Sequence, residues 1–148
     1  MTGTEAYIVA ATPTPVGRRN GGLATAHPAD LAAHVLVEVL SRVAVDADAV
    51  DDVIMGCVDQ AGAQASNIAR VAVLSAGLPH AVPATTIDRQ CGSSQQAVHF
   101  AAQAIMSGSQ DILVAGRLAA GPRGRLGPAS RTGHLGCTRP HQPRTPRR

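Results

Sequence analysis

Short apolar runs alternate along this chain with longer stretches in which apolar residues recur at helical spacing. The short runs predict four strands, at residues 7–11, 53–58, 84–88 and 111–115. The periodic stretches predict three helices, over residues 29–42, 67–76 and 93–107. The apolar runs at 7–11 and 53–58 are typical of strands that are buried in a sheet. The resulting order β-α-β-α-β-α-β predicts an α/β fold with a mostly parallel sheet and covering helices.

The periodic pattern stops at Gly116. Residues 117–148 contain eight Arg, five Pro and five Gly, and few large apolar residues that could offset the entropy of ordering. We therefore predict one domain over residues 1–116 and an Arg/Pro/Gly-rich disordered tail over residues 117–148. The charge divides at the same point, because the first part carries ten acidic residues and five Arg, whereas the tail carries eight Arg and no acid.

Composition argues against several functional classes. The net charge of +3 averages two oppositely charged parts, and aromatic residues make up only 1%, so nucleic acid is not the expected partner. No apolar stretch has the length of a membrane span, and the first residues do not resemble a secretory signal. Three Cys without a CxxC pair, and six scattered His, predict neither a disulfide framework nor a metal site. These features are typical of a protein of the reducing cytoplasm.

The most informative segment is TIDRQCGSSQQA, residues 86–97. A predicted strand ends there, the chain turns at Cys91, and a predicted helix begins. A thiol in this position faces the unpaired N–H groups and the positive end of the helix, which favour the nucleophilic thiolate. Gly92 leaves room beside the sulfur for a substrate carbonyl. Cys91 is therefore the candidate nucleophile, and a buried, inert cysteine is the alternative. Cys57 lies in an apolar strand and is expected in the core, while Cys137 lies in the tail.

This segment resembles the nucleophile turn of the thiolases, the acetyl-CoA C-acyltransferases. Further segments match that family in the same order: 14–20 (TPVGRRN), 53–58 (VIMGCV), 64–70 (QASNIAR), 76–79 (AGLP) and 111–116 (DILVAG). The resemblance covers about residues 5–116 and implies a thiolase-like N-terminal half-domain. It also implies that Cys91 takes the acyl group of an acyl-CoA, in thiolytic cleavage or Claisen condensation of 3-ketoacyl-CoA during fatty-acid β-oxidation or other lipid metabolism. The coenzyme A thioester is then a substrate, no tightly bound cofactor is implied, and the residues that bind it are not identified.

Several features that the resemblance to thiolases would imply are missing from the sequence after Gly116. They are the G-x-E-x-M-S signature, the loop domain with most coenzyme A contacts, and the second half with the activating His and a second Cys. We therefore expect a truncated and inactive fragment whose tail is read out of frame in a GC-rich gene. Apolar faces that the second half would cover predict a homo-oligomer or aggregation.

Two alternatives to a thiolase fragment stay open. One is a non-catalytic lipid-binding or protein-interaction module with an Arg-rich tail. The other is a condensing enzyme of the ketoacyl synthase type, which shares the fold and a nucleophilic Cys. The glutamines around Cys91, in the sequence QCGSSQQA, favour the thiolases over the second alternative.

Overall fold

The computed structural model describes residues 4–18, 20–119 and 133–138. Its helices and strands follow in the order β1 (Tyr7–Pro13), α1 (Pro28–Arg42), β2 (Asp52–Gly56), α2 (Ile68–Ser75), β3 (Ala84–Ile87), α3 (Ser93–Ser107), β4 (Ile112–Arg117) and β5 (Gly133–Thr138). The strands form one sheet in the order β1-β5-β4-β2-β3. β2 is parallel to β3 and β4, whereas β5 is antiparallel to β1 and β4. The predicted α/β fold with a mostly parallel sheet is therefore confirmed.

Helices cover both faces of the sheet. α1 and α2 pack together on one face, and α3 packs against β2 and β4 on the other. In β2, Val53 and Met55 belong to the core under α1 and α2, while Ile54 belongs to the core under α3. Because successive side chains of a strand point to opposite faces, a continuous apolar run supplies both cores. The predicted burial of β2 on both faces is confirmed.

The helix ends are set by residues that the sequence marks. The Asn67 side chain accepts a hydrogen bond from the Arg70 N–H at 3.2 Å and donates one to the Ala84 carbonyl at 2.8 Å. It therefore caps α2 and ties the start of that helix to β3. Gly77 and Gly108 follow α2 and α3 with φ angles of 71° and 79°, a conformation that strains residues with side chains.

The exposure of β1 differs from its prediction. Tyr7, Ile8 and Val9 are 47%, 58% and 45% exposed, so the first residues of this strand are not buried. The reason is its place at the end of the sheet, where it has a neighbouring strand on one side only. Apolar composition does not reveal which strand ends a sheet. Phe100 and Met106 of α3 are also exposed. Apolar residues are therefore exposed both at the sheet edge and on α3.

The strand β5 corrects the prediction that residues 117–148 are disordered throughout. Residues 133–138 lie between β1 and β4 and pair with both. Strands that flank an open position present unpaired backbone N–H and C=O groups, and a segment can satisfy these groups without an apolar pattern. Gly136 is buried in this strand. The remainder of the predicted tail, residues 120–132 and 139–148, lies outside the described residues.

Regular structure also continues past Gly116. β4 ends at Arg117, and Leu118 is buried, with its N–H donating to the Gly56 carbonyl at 2.9 Å. This bond joins the end of β4 to the end of β2. In the ranges that the structure describes, no helix is long and apolar enough to cross a membrane.

Candidate functional site

Cys91 lies in the turn between β3 and α3. β3 ends at Ile87, α3 begins at Ser93, and Gly92 is the residue that precedes the helix. The Cys91 side chain is exposed and forms no disulfide. The predicted position of this thiol, directly before the third helix, is therefore confirmed.

The residue before Cys91 has a backbone conformation that is rare for residues with a side chain. Gln90 has a φ angle of 48°, in the left-handed region, which costs about 1–2 kcal/mol in a residue other than glycine. Its N–H donates to the Asp88 carboxylate at 2.7 Å, and its carbonyl accepts from the Ser93 N–H at 3.1 Å. Bonds on both sides of Gln90 thus maintain the conformation that turns the chain from β3 towards α3.

Ser93 and Arg89 close the turn around Cys91. The buried hydroxyl of Ser93 accepts from the Arg89 N–H at 2.8 Å and donates to the Gln90 carbonyl at 2.7 Å. The Gly92 N–H donates to the Arg89 carbonyl at 3.0 Å. These bonds connect residues before Cys91 to residues after it, so the thiol lies in a closed loop.

A glycine of the neighbouring strand permits α3 to begin at this place. Gly56 is the last residue of β2, and a Cβ built on it would lie 2.4 Å from the Ser93 carbonyl carbon and 2.6 Å from the Ser94 nitrogen. The start of α3 can contact β2 only because position 56 has no side chain. This role of Gly56 was not predicted from the sequence. The available signal is a glycine inside an apolar strand, which often marks a close backbone approach.

The second thiol of the described region, Cys57, lies in the core. It is 1% exposed, and its sulfur lies 3.6 Å from the Asp59 carbonyl oxygen. Burial, with a smaller contribution from the charge of Asp59, raises the pKa of the Cys57 thiol. The thiol is therefore protonated and unreactive near neutral pH. The expected core position of Cys57 is confirmed.

Among the described residues, the remaining candidates do not form a second site. The side chain of Cys137, which lies in β5, is outside the described residues. Among the residues that the structure describes, no three His, Cys, Asp or Glu side chains come together as a possible metal site. His99 is exposed on α3.

Comparisons with known proteins identify the family that this chain resembles. Residues 6–118 match the family model of the thiolase N-terminal domain. The steroid 3-ketoacyl-CoA thiolase of Mycobacterium tuberculosis is 58% identical over 113 residues, which are 76% of this chain and 28% of that protein. The 3-oxoadipyl-CoA/3-oxo-5,6-dehydrosuberyl-CoA thiolase of Escherichia coli is 50% identical, with the same coverage.

A solved structure gives the same result. The crystal structure of the Bacillus anthracis acetyl-CoA acetyltransferase is similar with a TM-score of 0.75 and 40% identity, and the match covers 80% of this chain and 30% of that chain. This chain therefore spans under a third of the length of these relatives.

Proposed function

Because this chain belongs to the thiolase family, we propose that it carries the nucleophile of a thiolase-type acyltransferase and that Cys91 accepts the acyl group. The observation that carries the proposal is the exposed Cys91 thiol in a closed turn directly before α3. The chain spans under a third of its relatives' length, so the proposal concerns only the half-reaction at Cys91. For the complete thiolase cycle we expect the fragment to be inactive.

In this half-reaction, the Cys91 sulfur attacks the carbonyl carbon of an acyl-CoA. A bond forms between that carbon and Cys91, and the bond to the coenzyme A sulfur breaks. Coenzyme A leaves as a thiolate and takes up the proton that the Cys91 thiol gives up. The Cys91 thiol is accessible to such a thioester because its side chain is exposed.

The substrate class follows from the same proposal. Coenzyme A thioesters of 3-ketoacyl type are the substrates that the names of the relatives support. We assign the reaction to fatty-acid β-oxidation or related lipid breakdown in the cytoplasm, where reducing conditions maintain free thiols. The exposed apolar residues of β1 and α3 support association of this chain with itself or with a complementary chain.

The proposal is tested by the stoichiometric release of coenzyme A from acetyl-CoA, measured by chromatography on the full chain. We expect release by the unmodified protein and by Cys57→Ser, and only background release by Cys91→Ser. Cys57→Ser is the matched control, because it removes a thiol without changing the turn between β3 and α3.

Two outcomes would oppose the proposal. Equal release by Cys91→Ser would show that another group accepts the acyl chain. Background release by the folded, unmodified protein would favour the non-catalytic lipid-binding or interaction module.

A further inference from the structure

The side chains of Arg89 and Gln96 meet across the turn that carries Cys91, where the guanidinium donates a hydrogen bond to Gln96 Oε1. Cys91 lies between them in sequence, two residues after Arg89 and five before Gln96. We propose that this pair, here called the brace, positions the Cys91 thiol for attack. Arg89 and Gln96 are then positioning residues that do not touch the reacting atoms. The inference rests on the proposed acyl transfer at Cys91.

Arg89 is bonded to the start of α3 through three of its own groups. Its N–H donates to the Ser93 hydroxyl at 2.8 Å, and its carbonyl accepts from the Gly92 N–H at 3.0 Å. Its guanidinium reaches Gln96, one turn into the helix. Cys91 follows Arg89 by two residues, so a shift of the loop before the thiol must break at least one of these bonds.

Gln96 is the buried member of the brace. It is 9% exposed and lies beside Ala97, one of the small apolar residues that line the contact of α3 with the sheet. A buried amide oxygen is stable only when it accepts a hydrogen bond, and the guanidinium donates one here. The adjacent Gln95 is exposed and has the same side chain, which makes it the matched control.

Loss of the brace should act through the geometry of the turn. The left-handed conformation of Gln90 persists only while the surrounding bonds maintain it. A reacting group that moves by about 1 Å can lose up to about 100-fold in rate. We therefore expect a lower rate of acyl transfer to Cys91 without general loss of the fold.

The test compares Gln96→Met, Gln96→Glu, Arg89→Met and the control Gln95→Met in the full chain. Every protein tested also carries Cys137→Ser, so that Cys91 and Cys57 are the two thiols that can react. Peptide mass mapping measures two reactions at Cys91 and at Cys57. One is acyl transfer from acetyl-CoA, and the other is labelling by iodoacetamide. Labelling of the buried Cys57 reports unfolding. Methionine retains the size of glutamine but removes the acceptor, whereas glutamate retains an acceptor for the guanidinium.

We expect Gln96→Met and Arg89→Met to slow acyl transfer to Cys91 by about 10-fold, with unchanged labelling of Cys57. Gln96→Glu should retain the rate of the unmodified protein, and so should Gln95→Met. The double variant with Met at positions 89 and 96 should be no slower than either single variant, because both changes remove the same interaction.

The opposite pattern at position 96 would overturn the inference. If Gln96→Met is tolerated and Gln96→Glu is not, the side chain only fills space. Increased labelling of Cys57 in the methionine variants would show loss of the fold instead of a displaced thiol. If the unmodified protein does not accept an acyl group, the proposed function fails. The brace is then judged from the iodoacetamide rates at Cys91, which require no acyl chemistry.

Discussion

Replacing Gly56 by alanine tests whether the close contact of β2 and α3 determines the position of Cys91. The new methyl carbon would lie 2.4 Å from the Ser93 carbonyl carbon and 2.6 Å from its oxygen, against 3.4–4 Å for an ordinary contact. These are backbone atoms, which cannot rotate away. The start of α3 must therefore move by about 1 Å, and Cys91 lies two residues before Ser93.

The expected effect on stability combines two opposing contributions. Overpacking costs about 1–3 kcal/mol, whereas the reduced freedom of the unfolded chain contributes about 0.4–1 kcal/mol in the other direction. A net loss of about 1–2 kcal/mol corresponds to a Tm lower by about 2–8 °C in a domain of this size. A 1 Å displacement of the nucleophile would also slow acyl transfer by up to about 100-fold.

The measurements are thermal unfolding by circular dichroism and the rate of acyl transfer from acetyl-CoA. Gly22→Ala is the control, because a Cβ at that position meets nothing within 4 Å. We expect Gly22→Ala to behave as the unmodified protein. If Gly56→Ala changes neither the Tm nor the rate, then the contact between β2 and α3 does not position the site.

Three further predictions concern the fold and the change of pattern after β4. Asn67→Ala removes the cap of α2 and should lower the free energy of unfolding, measured in urea, by about 1 kcal/mol; no loss would show that water replaces the cap. Burial raises the pKa of the Asp52 carboxyl, so ionisation disfavours the folded state once the pH exceeds the unfolded pKa. Asp52→Asn should therefore raise the Tm at pH 7 and lose this advantage at about pH 3, whereas an equal gain at both pH values would contradict this cause. If the change of pattern after Gly116 reflects a frameshift, another reading frame of the gene should encode further thiolase sequence there; two frames without it would exclude the frameshift.

The elements that sequence predicts best are those that local signals determine. The period of α3 and the glycine at position 108 give that helix its bounds, and the side chain of Asn67 caps α2. The apolar run of β2 gives a strand that is buried on both faces. The placement of Cys91 also belongs here, because a strand, a turn and a helix follow one another directly around it.

The features that sequence reasoning misses depend on contacts between distant segments. The exposure of Tyr7 results from the position of β1 at the end of the sheet, and β5 forms where backbone groups of two other strands need partners. The role of Gly56 arises because β2 meets α3, which begins 37 residues later. Periodicity and spacing describe only neighbouring residues, so they do not reveal such pairs.

The central claim is that Cys91 is the acyl acceptor of this chain. The most direct measurement is peptide mass mapping of the folded chain after incubation with acetyl-CoA. We expect an acetyl group on the peptide that contains Cys91 and none on the peptide that contains Cys57. An acetyl group on Cys57 or another residue, with Cys91 unmodified, would contradict it.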